Sequence, residues 1–120
     1  MPANPLYIDG HLDLAYIAMQ GVCLESPSPD RDRHGVNLPA LRAGGVALSL
    51  ATIFTERGAD APWGYPANDD GSAAARAGRL QLRVYQGLEA RGAIRIVRRQ
   101  ADLGAVGDGG PMHVVLLMEC

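Results

Sequence analysis

The chain has no lysine, a single tryptophan, a single phenylalanine and only two cysteines in 120 residues. Cys23 and Cys120 form no CxxC and join no Cys/His cluster. That excludes a disulfide framework and a structural zinc finger. All eleven basic residues are arginine, and the net charge is -2. A basic surface for nucleic acid or anionic lipid is therefore not expected. No apolar run approaches the roughly 18–20 residues that span a bilayer. Residues 1–5 lack the basic and apolar regions of a signal peptide. The expectation is a cytoplasmic protein with no membrane span. Hydrophobic residues make up 48% and charged residues 20%, a composition that favours a packed globular domain over disorder.

Residues 6–14 read as a first strand, and 15–37 as irregular chain rich in turn residues and charge. Asn37 to Gly45 reads as a short helix: Asn37 or Leu38 lies near its cap, Pro39 fits its first turn, and two glycines end it. Val46 to Phe54 is almost unbroken apolar sequence, as in a strand buried on both faces. A long loop, 55–72, carries Trp63, Tyr65 and Asp69-Asp70; its aromatic pair can line a pocket or simply anchor the loop. Ser72 is placed to cap a helix over 73–91, with Ala77, Leu80, Val84 and Leu88 as its apolar stripe. Ile94 to Val97 is extended, 101–106 a helical turn, 108–111 a turn, and His113 to Glu119 a further buried strand. The alternation predicts a single α/β domain over 1–120 with a parallel sheet.

Within the first strand, side chains alternate faces, so Asp9, His11 and Asp13 share one face of an otherwise apolar segment. An imidazole beside a carboxylate can hold a divalent transition metal such as zinc. A lone His-x-Asp is weak: chance supplies one about one time in five in a chain of this composition. A histidine satisfied by a nearby carboxylate is the bland reading. Glu119 changes the balance. It ends an unbroken apolar strand, where a carboxylate is costly outside a site. In parallel barrels the active site sits at the C-terminal strand ends. His11, Asp13 and Glu119 all fall there, and Glu119 has two oxygens with which to bridge two ions. His113, six residues earlier, belongs about 20 Å away at the opposite rim. His34 reads as surface, Cys23 as structural.

Three segments carry a resemblance to the membrane (renal) dipeptidase family. They are Ile8-Asp9-Gly10-His11-Leu12-Asp13-Leu14, Asn37 to Val46 (with Asn37 where the family carries Asp), and Val114 to Glu119. Their order and spacing agree with the family over nearly the whole chain. The resemblance implies a TIM-type (β/α)8 barrel and zinc-dependent dipeptide hydrolysis, with two Zn2+ per complete subunit. It makes His11 and Asp13 ligands of the first zinc and Glu119 a bridge to the second. Asp9 is our own candidate for orienting His11. Cys120 stands where the family has Gly, and the family's later histidines have no counterpart. A TIM barrel needs about 250 residues. The chain therefore reads as the N-terminal part of an incomplete barrel, expected to self-associate and to be inactive alone. Another metal-dependent barrel hydrolase, acting on amides or phosphoesters, and a non-catalytic remnant are the alternatives.

Overall fold

A computed structural model describes residues 4–27 and 35–119. It shows an α/β fold built on a four-stranded, wholly parallel sheet. The strands are β1 (Tyr7–Leu12), β2 (Val46–Phe54), β5 (Ile94–Ile96) and β6 (Met112–Glu119), in the spatial order β1-β2-β6-β5. The sheet is open and does not close into a barrel. β1 forms one edge. β5 covers the other only beside residues 112–114, and the rest of β6 has no further strand partner on that side among the described residues. Leu6, Tyr7 and Ile8 at one edge, and Leu117 and Met118 at the other, stay exposed.

β2 is central because nine consecutive residues suit burial on both faces; Ser49, Ala51, Thr52 and Ile53 are buried. It enters the sheet through Gly45, whose φ is +81° and whose missing Cβ would lie 2.7 Å from the Pro5 carbonyl oxygen. Only glycine fits that turn. The helix before it, α2 (Leu38–Ala43), begins as expected: the Asn37 side chain accepts the Ala40 N–H at 2.9 Å.

Two expectations are corrected in the first forty residues. The first strand stops at Leu12, and Leu14–Met19 (LAYIAM) is a helix, α1, not irregular chain. Leucine, alanine and methionine favour helix, and Leu14 and Ala15 are fully buried against the sheet. Asp13 thus sits at the strand-to-helix junction as the N-cap residue. The strand also slips register between Asp9 and Leu12. Strict alternation from residue 9 to residue 13 therefore does not hold. The charge cluster at 31–34, with His34, lies outside the described residues, as do 28–30 of the turn-rich stretch before it.

The long helix α3 spans Ser72–Ala90 and covers one face of the sheet. Ser72 does not cap it. Asp69 does, accepting N–H bonds from Gly71, Ala73 and Ala74 at 2.9, 3.0 and 3.2 Å. Its buried positions are Ala77, Gln81, Tyr85 and Leu88, so the stripe is rotated from the expected one. Two polar side chains face inward because each finds main-chain partners. Gln81 accepts the Phe54 N–H at 2.8 Å and donates to the Phe54 carbonyl. Tyr85 donates to the Thr52 carbonyl at 2.6 Å and accepts the Ala15 N–H at 3.2 Å.

The loop over 55–72 contains a two-residue parallel pairing of β3 (Glu56–Arg57) with β4 (Gly64–Tyr65). Between β5 and β6 runs a 3-10 helix, Gln100–Ala105. Among the described residues no helix is long and apolar enough to cross a membrane.

Candidate metal centre

β1, the head of α1 and the tip of β6 converge at the C-terminal ends of the strands. His11 is near the end of β1, Asp13 begins α1, and Glu119 closes β6. β1 and β6 are not neighbours; β2 lies between them. His11 and Glu119 nevertheless meet across it, with Nε2 2.6 Å from Oε1. Asp13 Oδ1 is 3.9 Å from the same nitrogen. One donor atom from each residue lies within 4.8 Å of the other two. All three residues proposed from sequence are thus brought together, although 106 positions separate Asp13 from Glu119.

The donor set suits zinc: one imidazole nitrogen and two carboxylates. Ligand atoms each about 2.0–2.1 Å from a common ion lie about 3 Å apart. The His11–Glu119 and His11–Asp13 separations of 2.6 and 3.9 Å bracket that value. The side chains are 51%, 38% and 31% exposed for His11, Asp13 and Glu119, so the centre opens to solvent.

Electrostatics favour a cation here. The hydrogen bond to Glu119 raises the His11 pKa above its ordinary 6.5; burial opposes this, and the charges of Asp13, Glu119 and Asp9 add to it. Two carboxylates around one imidazole already draw a proton, and a divalent ion answers the same field with twice the charge.

Thr52 escaped the sequence reading. It is fully buried on β2, and its hydroxyl donates to Asp13 Oδ1. This bond fixes the carboxylate against the floor of the site. The available signal was a hydroxyl inside an apolar run, shared only with Ser49. Asp9 hydrogen-bonds the His11 main chain, not its ring. Its Oδ1 accepts the His11 backbone N–H at 2.9 Å, at the slip in register. It therefore sets the main chain that carries His11 and contributes its charge.

His113 is where the strand arithmetic put it, at the start of β6 and away from the centre. It is 2% exposed, and neither ring nitrogen has a hydrogen-bond partner among the described residues. Cys23 is exposed, not a core residue, and a Ser26 hydrogen bond lowers its thiol pKa. Trp63 and Tyr16 pack edge to face at 5.1 Å, and Tyr16 and Phe54 at 5.9 Å.

Compared with known proteins, the chain matches no protein-family model, no curated protein and no solved structure.

Proposed function

We propose that this chain carries the first-metal half of a di-zinc dipeptidase centre of the membrane dipeptidase type, and that the complete protein hydrolyses dipeptides. One observation supports the reading above the others. A histidine, an aspartate and a glutamate from separate elements bring one donor atom each within 4.8 Å of one another at the ends of parallel strands.

Each residue has a definite part. His11, Asp13 and Glu119 would hold the ion, each offering one donor atom. Thr52 keeps Asp13 from swinging into solvent. Asp9 fixes the backbone of His11. A divalent ion at this point supplies Lewis-acid polarisation of an amide carbonyl and acidification of water. The open rim lets an extended dipeptide reach the donors.

Isothermal titration with Zn2+, repeated with Co2+ and absorption spectroscopy, tests the proposal. The 120-residue chain is expected to bind one ion, and the complete gene product two. His11→Ala should abolish the first site and, in the complete product, dipeptide hydrolysis with it. Equal zinc uptake by the parent and His11→Ala chains would refute the centre. Turnover of phosphoesters but not dipeptides by the complete product would refute the substrate.

A further inference from the structure

We infer that the cavity beside β5 and the start of β6 is a phosphate-binding site built on His113 and Arg95, for free phosphate or a small phosphate monoester. The inference stands apart from the metal centre, which lies at the opposite ends of the strands.

His113 carries it. The residue is 2% exposed, and among the described residues neither Nδ1 nor Nε2 has a hydrogen-bond partner. Burying a polar atom without a partner is costly, and most such atoms in folded proteins find one. Ser49 Oγ is also buried and unpartnered among the described residues, but it cannot serve the ring. Ser49 pairs in register with Val114, so it projects from the other face of the sheet. His113 instead borders a cavity of about 570 Å³. Small-ligand sites commonly hold about 300–1,000 Å³.

The charge of the walls selects an anion. Arg95 is the register partner of His113 on β5, so the two side chains project from one face. Arg95 is exposed and borders the same cavity. Among the described residues no carboxylate lies within ion-pair distance of it. The other charged groups of the walls are already matched. Arg98 spans both oxygens of Glu89, at 2.9 and 2.7 Å. Asp102 accepts the main-chain N–H groups of Arg98 and Arg99 at 2.9 and 3.1 Å, and the Arg99 side chain at 3.3 Å. The cavity thus presents one uncompensated guanidinium beside two unpartnered ring nitrogens.

Phosphate suits that pair. A neutral imidazole has one donor and one acceptor nitrogen, and a protonated one has two donors. The phosphate oxygens accept from either form, and the hydroxyl of a phosphate monoanion donates to the bare nitrogen. The planar guanidinium fork takes two phosphate oxygens at once. An ionised carboxylate only accepts, so it leaves the bare nitrogen of a neutral ring unserved. Much of the remaining wall is alanine, isoleucine and proline, which suits an organic substituent rather than a second anion.

The test titrates the metal-free 120-residue chain, kept in chelator, with inorganic phosphate, glycerol phosphate, acetate and glycerol. Calorimetry reads affinity, and nitrogen NMR of the histidine rings reads position. The better phosphate ligand should bind with a Kd of about 1 mM or tighter, at least about tenfold tighter than acetate. Glycerol should not bind. The ring signals of His113 should shift, and those of His11 should not. Tighter binding of glycerol phosphate assigns a monoester, and equal or weaker binding assigns free phosphate. Arg95→Gln, an exposed change, should weaken phosphate about tenfold with the circular dichroism spectrum unchanged. No phosphate binding, acetate or glycerol binding as tightly, or an Arg95→Gln chain of parent affinity would each overturn the inference. So would His113 signals that stay in place at saturating phosphate.

Discussion

Removing one oxygen atom, by Tyr85→Phe, should be among the most damaging conservative changes in this chain. Tyr85 is fully buried on α3, and burial raises its hydroxyl pKa, so the group is neutral and able to donate. It donates to the Thr52 carbonyl at 2.6 Å and accepts from the Ala15 N–H at 3.2 Å. Ala15 lies in the first turn of α1, where a helix has no internal acceptor for its N–H groups. It is also 0% exposed, so water cannot substitute. Orphaning that donor costs about 1–3 kcal/mol. Losing the bond at the Thr52 carbonyl adds about 0.5–1.5 kcal/mol. The expected sum is about 2–4 kcal/mol, a large share of the 5–15 kcal/mol typical of a domain. For a chain of this length it corresponds to a fall in Tm of about 10 °C. Urea and thermal melts followed by circular dichroism measure it. Tyr7→Phe, at an exposed tyrosine, is the control and should change nothing. Thr52 also bonds Asp13, and Ala15 is two residues from it, so Tyr85→Phe should weaken zinc binding as well. A variant within about 0.5 kcal/mol of the parent, with unchanged zinc affinity, would refute the claim that this hydroxyl ties α1, β2 and α3 together.

Thr52→Val keeps the shape of the side chain and removes its donor to Asp13; zinc affinity should fall about 10–100-fold with the fold intact, as read by calorimetry and circular dichroism. Gly45→Ala forces a Cβ into the Pro5 carbonyl oxygen at a φ of +81°. Denaturant melts should show a loss of about 1–3 kcal/mol, and no loss would mean this turn can rearrange. The pH dependence has two opposite signs. In the metal-free chain His11 has a raised pKa, so its pairing with Glu119 stabilises fully below the unfolded value near 6.5. That contribution is lost as pH rises through the higher folded value. Zinc needs the neutral imidazole, so its affinity should rise over the same interval. Glu119→Gln should reduce the pH slope of metal-free stability, Asp13 and Asp9 keeping part of it, and an unchanged slope would place its origin elsewhere.

The parts of the fold that rest on one-dimensional pattern were legible. The apolar runs 46–54 and 113–119 are β2 and most of β6, and the Asn37 cap with its glycine stop gives α2. What could not be read depends on polar side chains satisfied by distant main chain. Gln81 and Tyr85 look like solvent positions on a helix until Phe54, Thr52 and Ala15 are in place to bond them. Their burial rotates α3 away from Leu80 and Val84. Ser72 looked like the cap because it is the nearest hydroxyl, yet Asp69 reaches three N–H groups from further back. At the site, His11, Asp13 and Glu119 were legible from residue type and strand-end position. The period-two argument reached Asp13 for the wrong reason, since the strand has ended and a helix holds that residue.

The polar core and the His11/Asp13/Glu119 cluster are linked by this same anatomy. A floor able to hold three donors within 4.8 Å must be rigid, yet its donors come from the ends of strands, where sheet pairing is running out. Among the described residues β6 has no strand neighbour on one side beyond residue 114, and β2 ends at the residue paired with Glu119. Side-chain bonds take over where the ladder stops. Gln81 holds both main-chain polar groups of Phe54, Tyr85 holds Thr52, and Thr52 holds Asp13. A helix with a fully apolar inner face would pack the lower sheet equally well but would leave these strand ends to fray. The two inward polar residues of α3, one turn apart, therefore hold the end of β2 beside the His11/Asp13/Glu119 cluster.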